Sequence, residues 1–236
     1  YLEIAEQKSG HDPLPHSSRK SQRESILVID FGSQYSRLIA RRVRESNVYC
    51  EIIPHNALWD NVSQLNPKGI ILSGGPSSVY ESDAPMAPSW VYDRGLPVLG
   101  ICYGMQVLIH QLGGRVAPAA KREYGHASLR QNASNHPLFR DLPSSMPVWM
   151  SHGDQIVEEP PGFIPLAYTE NSPIAATGNG QGMLGIQFHP EVAHTPDGKK
   201  IIANFVHEIC GCGHLWTSKN FVSDTVKNIQ EQVGTG

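Results

Sequence analysis

The tightest constraint on how this chain can fold lies at residues 96–112. An apolar run, Leu96-Pro97-Val98-Leu99, passes without a spacer into Gly100-Ile101-Cys102-Tyr103-Gly104. A helical pattern, Met105-Gln106-Val107-Leu108-Ile109-His110-Gln111-Leu112, begins at once. A buried strand that turns this abruptly into a helix belongs to a β–α unit of a parallel sheet. Gly-x-Cys-x-Gly at such a junction is the pattern of a nucleophile elbow, with sulfur in place of a serine oxygen. The flanking glycines let strand and helix approach where a Cβ would clash. The thiol then projects from a sharp turn at a helix N-terminus, whose dipole favours the thiolate. A thiolate presented this way attacks carbonyl carbon, so Cys102 is the candidate nucleophile.

The same texture runs through the first half of the chain. Ile26-Leu27-Val28-Ile29-Asp30 reads as a strand and Phe31-Gly32-Ser33 as a turn. Residues 34–45 read as a helix, with Leu38, Ile39 and Val43 on one side and Arg37, Arg41, Arg42 and Arg44 mostly on the other. Strands are expected at 48–53 and 69–72, the second ending in Ser73-Gly74-Gly75-Pro76-Ser77-Ser78, and a helix at 88–94. Between 116 and 187 the pattern shortens. Strand-like pieces at 127–130, 148–150, 163–168, 174–178 and 183–187 alternate with Pro, Asn and Gly, which predicts antiparallel hairpins. Helices follow at 199–209 and 218–233, the latter with Phe221, Val222, Val226 and Ile229 as its apolar face. The expected fold is α/β: a mostly parallel central sheet with helices on both faces, plus a small antiparallel appended sheet. Residues 1–24, polar and rich in Pro, Ser, Lys and Arg, read as a flexible leader; 25–216 read as the folded domain and 217–236 as a helical linker.

Bulk properties narrow the function classes. A net charge of −3 with no dominant basic stripe argues against nucleic acid as a partner. No stretch approaches the ~18 apolar residues that span a bilayer, and no secretory signal precedes 26. The four cysteines, Cys50, Cys102, Cys210 and Cys212, do not form a disulfide framework for a chain of 236 residues, which points to a reduced, cytoplasmic setting.

Two further motifs bear on Cys102. Gly185-Ile186-Gln187-Phe188-His189-Pro190-Glu191 closes a strand. His189 is the candidate general base, because a thiol needs a base or a positive neighbour to ionise at neutral pH. Glu191, two residues on, falls on the same side of an extended segment and can orient the imidazole. The competing reading of both motifs is an ordinary buried cysteine beside a histidine that satisfies loop backbone. Ser73-Gly74-Gly75-Pro76 also follows a strand, so it belongs at the same sheet edge as Cys102. The N–H groups of Gly75 and Tyr103 could serve a developing oxyanion. A phosphate loop and a plain glycine turn remain alternatives for that segment.

Taken together, Gly-Ile-Cys-Tyr-Gly-Met-Gln, Phe-His-Pro-Glu and Ser-Gly-Gly-Pro resemble the class I (triad) glutamine amidotransferases. Asp30-Phe31-Gly32-Ser33-Gln34-Tyr35, Ala40-Arg41-Arg42-Val43-Arg44, Ser151-His152-Gly153-Asp154 and Ile209-Cys210-Gly211-Cys212 are closer still to the glutaminase domain of GMP synthetases. The resemblance spans 26–216. It implies a Cys102–His189–Glu191 triad that hydrolyses L-glutamine to glutamate and ammonia through a γ-glutamyl thioester. It also implies oxyanion donors at Gly75 and Tyr103, and substrate contacts at Gln106, Ser151, His152 and Asp154. Ammonia would pass to an ATP-pyrophosphatase (synthetase) domain or subunit that aminates XMP to GMP. The chain itself carries no Ser-Gly-Gly-x-Asp-Ser loop, so ATP and magnesium are expected only in that other part, with no metal or cofactor here. Either a separately encoded subunit or a piece of a fused enzyme fits, and the stretch after Trp216 reads as the start of an interdomain linker.

Three smaller signals have plainer readings. His207, Cys210, Cys212 and His214 have a spacing too tight for ordinary structural zinc, and the resemblance implies that this run ends a helix in packed core. The arginines of 37–44 read as a solvated face or a partner-facing one. Lys121-Arg122-Glu123-Tyr124-Gly125 reads as a polar loop that could border a domain interface.

Overall fold

The computed structural model describes residues 24–132, 135–214 and 216–217, with isolated positions 226, 230, 233 and 234 beyond them. Its elements, in order, are β1 (Ser25–Asp30), α1 (Ser36–Glu45), β2 (Tyr49–Pro54), α2 (Trp59–Val62), β3 (Pro67–Leu72), α3 (Trp90–Asp93), β4 (Val98–Ile101) and α4 (Tyr103–Gln111). Then come β5 (Arg115–Gln131), β6 (Ser145–Glu158), β7 (Ile164–Tyr168), β8 (Ala176–Gly178), β9 (Met183–Ile186) and α5 (Gly198–Asn204), which runs on into a π-helical turn at Phe205–Ile209. The expected leader, apart from Glu24, lies outside the described residues. So does the helix expected at 218–233, apart from the helical positions Val226, Gln230 and Val233.

The nine strands among the described residues form one sheet in the order β2-β1-β3-β4-β9-β8-β7-β5-β6. The pairs β2/β1, β1/β3, β3/β4 and β4/β9 are parallel, and the remaining four pairs are antiparallel. The α/β expectation holds, and the antiparallel strands continue the same sheet. Alternate residues of the central strands enter two separate cores. Ile26, Val28, Ile71, Leu99 and Ile101 pack with α1 and α5, while Leu27, Ile29, Ile70, Leu72 and Val98 pack with α3 and α4. Strands covered on both faces read as continuous apolar runs, which is why they were legible.

Two expectations were too short. The pieces at 127–130 and 148–150 are fragments of β5, 17 residues long, and β6, 14 residues long. Pro118, Gly125, Pro147 and Gly153 punctuate these strands locally, but cross-strand pairing carries through them, with an irregularity between Pro118 and Glu123.

Candidate active site

Four parallel neighbours, β1, β3, β4 and β9, end at one edge of the sheet. The segments that leave them carry Phe31 to Tyr35, Ser73 to Pro76, Cys102, and Gln187 to Glu191. Distant stretches of sequence therefore converge where parallel sheets place their ligands. Gly100 and Gly185 are register partners, as are Ile101 and Ile186, and the Cys102 N–H donates to the Ile186 carbonyl at 2.8 Å.

Cys102 has φ 52° and ψ −109°, a conformation that a side chain adopts only under strain of about 1–3 kcal/mol. The neighbouring contacts hold it there. A Cβ on Gly100 would lie 2.6 Å from the Gly104 and Met105 backbone, and one on Gly104 would lie 2.3 Å from the Leu72 carbonyl oxygen. Strand β4 and helix α4 thus pack backbone to backbone, and the turn between them has no room to relax.

The His189 ring donates from Nδ1 to Glu191 Oε1 at 2.7 Å. The same ring lines one cleft with Cys102, and the sulfur is among the groups that act on its protonation. Glu191 is fully buried, and its Oε2 has no hydrogen-bond partner among the described residues. Burial of the imidazole is the largest single influence on its protonation and opposes the charge. The hydrogen bonds and negative charge of Cys102 and Glu191 together outweigh it and raise the His189 pKa to about 10. The loop itself is pinned: His189 N–H donates to the Trp149 carbonyl at 3.0 Å. Thr195 Oγ1 donates to the His189 carbonyl at 2.7 Å and accepts from Trp149 N–H. Arg42 Nε donates to the Glu191 carbonyl at 3.1 Å.

Cys102 opens onto two clefts. One, of about 280 Å³, is lined by Gly32, Ser33, Gln34, Tyr35 and His189. The other, of about 450 Å³, is lined by Gln106, Arg122, Tyr124, His152 and Asp154. Gly75 borders both, and Tyr103 borders the second. Among the described residues neither the Gly75 nor the Tyr103 N–H has an acceptor. Gly75 has no space for a side chain, since its Cβ would meet the Tyr103 ring at 2.9 Å. The buried Ser73 hydroxyl accepts from Phe31 N–H and donates to the Gly74 carbonyl, tying the glycine loop to the end of β1.

The remaining expected residues sit around the larger cleft in different ways. The Ser151 carbonyl accepts from the Cys102 thiol at 3.6 Å. Gln106 is buried, its Nε2 donating at 3.4 Å to both the Asp154 carbonyl and Gln187 Oε1. The Asp154 carboxylate accepts from Ser78 Oγ at 2.6 Å and from the Tyr80 hydroxyl at 2.8 Å. His152 borders the cleft, but its ring is engaged inside the protein, by the Asp154 carbonyl on one side and by Glu123 and Ser172 on the other.

Sequence reasoning missed several neighbours of the candidate triad. The Tyr35 ring meets the His189 ring edge-on, with centroids 5.5 Å apart. Gln187 Nε2 donates to the Cys102 sulfur at 3.7 Å. Thr195 holds the His189 carbonyl, and farther out Ser78 and Tyr80 hold Asp154 while Glu123 faces His152. Tyr35, Gln187 and Ser78 lay inside segments singled out above; Thr195 and Tyr80 carried no local signal. In the candidate zinc run, the His207 nitrogens face the Cys212 and Ser46 carbonyls and its ring stacks on His214 at 3.8 Å. No cluster of three or more His, Cys, Asp or Glu able to hold a metal occurs among the described residues. Nor is any described helix long and apolar enough to cross a membrane.

Comparison with known proteins follows the same lines. The family model for glutamine amidotransferase class-I matches residues 27–209. A glutamine-hydrolysing GMP synthase of Dehalococcoides mccartyi is 55% identical over 236 residues, all of this chain and 44% of that protein. Its counterpart in Thermomicrobium roseum is 56% identical over 211 residues, 89% of this chain and 40% of that protein. The chain therefore spans less than half the length of these relatives. Among solved structures, a Thermoplasma acidophilum protein assigned as one subunit of a GMP synthase superposes with a TM-score of 0.73 at 30% identity, over 80% of this chain and 94% of that one. A glutamine amidotransferase of Thermotoga maritima shares the fold, with a TM-score of 0.64 at 18% identity over 80% of this chain and 98% of its own.

Proposed function

The chain belongs to the class-I glutamine amidotransferase family, and from that premise we propose that it is the glutamine-hydrolysing part of a GMP synthase. On this reading residues 25–216 form the amidotransferase unit. It releases ammonia from L-glutamine for a synthetase domain or subunit that aminates XMP to GMP with ATP. Magnesium and ATP belong to that other part, and glutamine hydrolysis uses side chains of this chain alone. The four free cysteines fit a reducing, cytoplasmic setting.

The reaction proceeds in two halves. The Cys102 thiolate attacks the side-chain amide carbon of glutamine, and the carbonyl π electrons move to oxygen. The Gly75 and Tyr103 N–H groups stabilise that oxyanion. His189, held as imidazolium by Glu191, protonates the amide nitrogen; the C–N bond breaks, ammonia leaves and a γ-glutamyl thioester remains. Neutral His189 then takes a proton from water as the water oxygen attacks the thioester. The C–S bond breaks and glutamate departs. Asp154, whose carboxylate faces only hydroxyl groups in its hydrogen bonds, receives the substrate α-ammonium, and Gln106 and the Ser151–His152 backbone shape the wall beside it.

The observation that carries the reading is a strained thiol at the β4–α4 junction that shares a cleft with an imidazole oriented by a buried carboxylate. A glutamine-like chloroketone should label Cys102 stoichiometrically, and His189→Ala, still folded by circular dichroism, should lose the labelling. Labelling by iodoacetamide but not by the chloroketone would exclude a glutamine site.

A further inference from the structure

The hydrolysis just described makes no use of a second buried histidine–carboxylate pair. Glu123 is 6% exposed and His152 is 4% exposed. Glu123 accepts from Thr169 Oγ1 at 2.9 and 3.1 Å, from Ser172 Oγ at 2.6 Å and from Asn171 Nδ2 at 3.4 Å. It faces His152 Nε2 at 3.3 Å. On the far side of that ring, Nδ1 donates to the Asp154 carbonyl at 2.8 Å.

The position of the pair in the sheet gives it leverage. Glu123 and His152 are cross-strand partners, and theirs is the pair at which β5–β6 register resumes after the irregularity that begins at Pro118. The segment held there walls the larger cleft. Its Ser151 carbonyl meets the Cys102 thiol, and its Asp154 carbonyl holds Gln106. Backbone pairing alone does not choose a register beside a bulge; because a one-residue slip turns every side chain to the other face, the side chains choose it. A buried, fully partnered polar cluster removes that freedom, since any other register would leave its members without partners. Glu123 itself borders a separate cleft of about 350 Å³ with His126, Arg130 and Tyr168, so it does not line the one that contains Cys102.

We propose that Glu123 is a positioning residue that acts through His152, and with the Thr169–Ser172 turn, to lock the Ser151–Asp154 wall and so set affinity for the amino-acid portion of glutamine. The proposal rests on the glutaminase reading of Cys102.

Two reagents separate recognition from reactivity. Iodoacetamide reports the thiolate alone, while the glutamine-like chloroketone must first occupy the cleft. In the full chain, Glu123→Ala should slow chloroketone inactivation about tenfold, as expected when buried partners are left unsatisfied, with iodoacetamide alkylation within about twofold of wild type. Glu123→Gln keeps an acceptor oxygen for His152 and should restore most of the chloroketone rate. Ser172→Ala removes one bond to the cluster without touching the cleft and should give an intermediate slowing, which keeps the test available if Glu123→Ala does not fold. The proposal is overturned by unchanged chloroketone rates in Glu123→Ala or Ser172→Ala. It is equally overturned by equal slowing with both reagents, or by a Gln variant no better than the Ala variant. Failure of the wild-type chain to react with the chloroketone would instead remove the glutaminase premise, and this inference with it.

Discussion

Cys102 differs from the other thiols of the chain in what surrounds its sulfur. Burial pushes Cys50 up to about 11 and Cys212 up to about 12, and burial with the neighbouring Cys212 holds Cys210 well above the ordinary range. Those three thiols stay protonated at neutral pH and make poor nucleophiles. Limiting iodoacetamide near pH ~7.5 should therefore give a single adduct on Cys102 by peptide mass mapping, and comparable modification of Cys50 or Cys212 would contradict the assignment. His189 makes the second test at this scale. Its pKa lies at about 10 in the fold against an ordinary 6.5, so folding favours its charged form. That contribution to stability is complete below about 6.5 and is lost as pH rises through about 10. The Tm difference between wild type and His189→Gln should accordingly be largest at and below pH about 6.5 and shrink between there and about 10. A difference that stays constant with pH would mean that the imidazole is not held as a cation. These residues were legible because their chemistry is concentrated in short motifs. The contact of Tyr35 with His189 was not, because nothing in a lone tyrosine states which ring it will meet.

The decisive elements are β4 and α4, joined through one residue. Helix α4 lies backbone to backbone against β4 at Gly100 and against β3 at Gly104, where an added methyl group would fall 2.3 Å from the Leu72 oxygen and 2.6 Å from its carbon. Backbone of a central strand cannot shift to make room, so Gly104→Ala should destabilise by about 1–3 kcal/mol or more, read as a lower denaturant midpoint at unchanged slope. A variant as stable as wild type would show that the elbow is looser than its geometry implies. The elements that the sequence declared plainly share this physics: strands buried on both faces, with helices packed against them. Strands β5 and β6 were harder. Their side chains alternate between covered and open faces, and four residues that usually end strands fall within them, so only pairing with each other reveals their length. Glu123 was hidden for the same reason. In sequence it belongs to a polar loop, and only the register opposite His152 buries it.

At the scale of the molecule, α1 reaches the candidate triad at two points. Tyr35, the residue preceding it, lies against the His189 ring, and Arg42 donates to the Glu191 carbonyl. A partner that pressed on this helix would bear on the imidazole and the carboxylate together. The relatives are more than twice the length of this chain, and hydrolysis uncoupled from a synthetase would waste glutamine. Steady-state glutaminase turnover of the 236-residue chain should therefore be low, and should rise when the remaining portion of a full-length relative is added with ATP and XMP. Full turnover by the chain alone would contradict that coupling. By itself the sequence determined the α/β class and the elbow, and it singled out Cys102, His189 and Glu191 as candidates, because each of these signals depends on neighbours within a few residues. The tertiary structure decided which groups meet. Parallel order places the ends of β1, β3, β4 and β9 side by side, and antiparallel register sets Glu123 opposite His152. Such contacts depend on pairing between segments far apart in the chain, and no local pattern encodes a partner that it never touches.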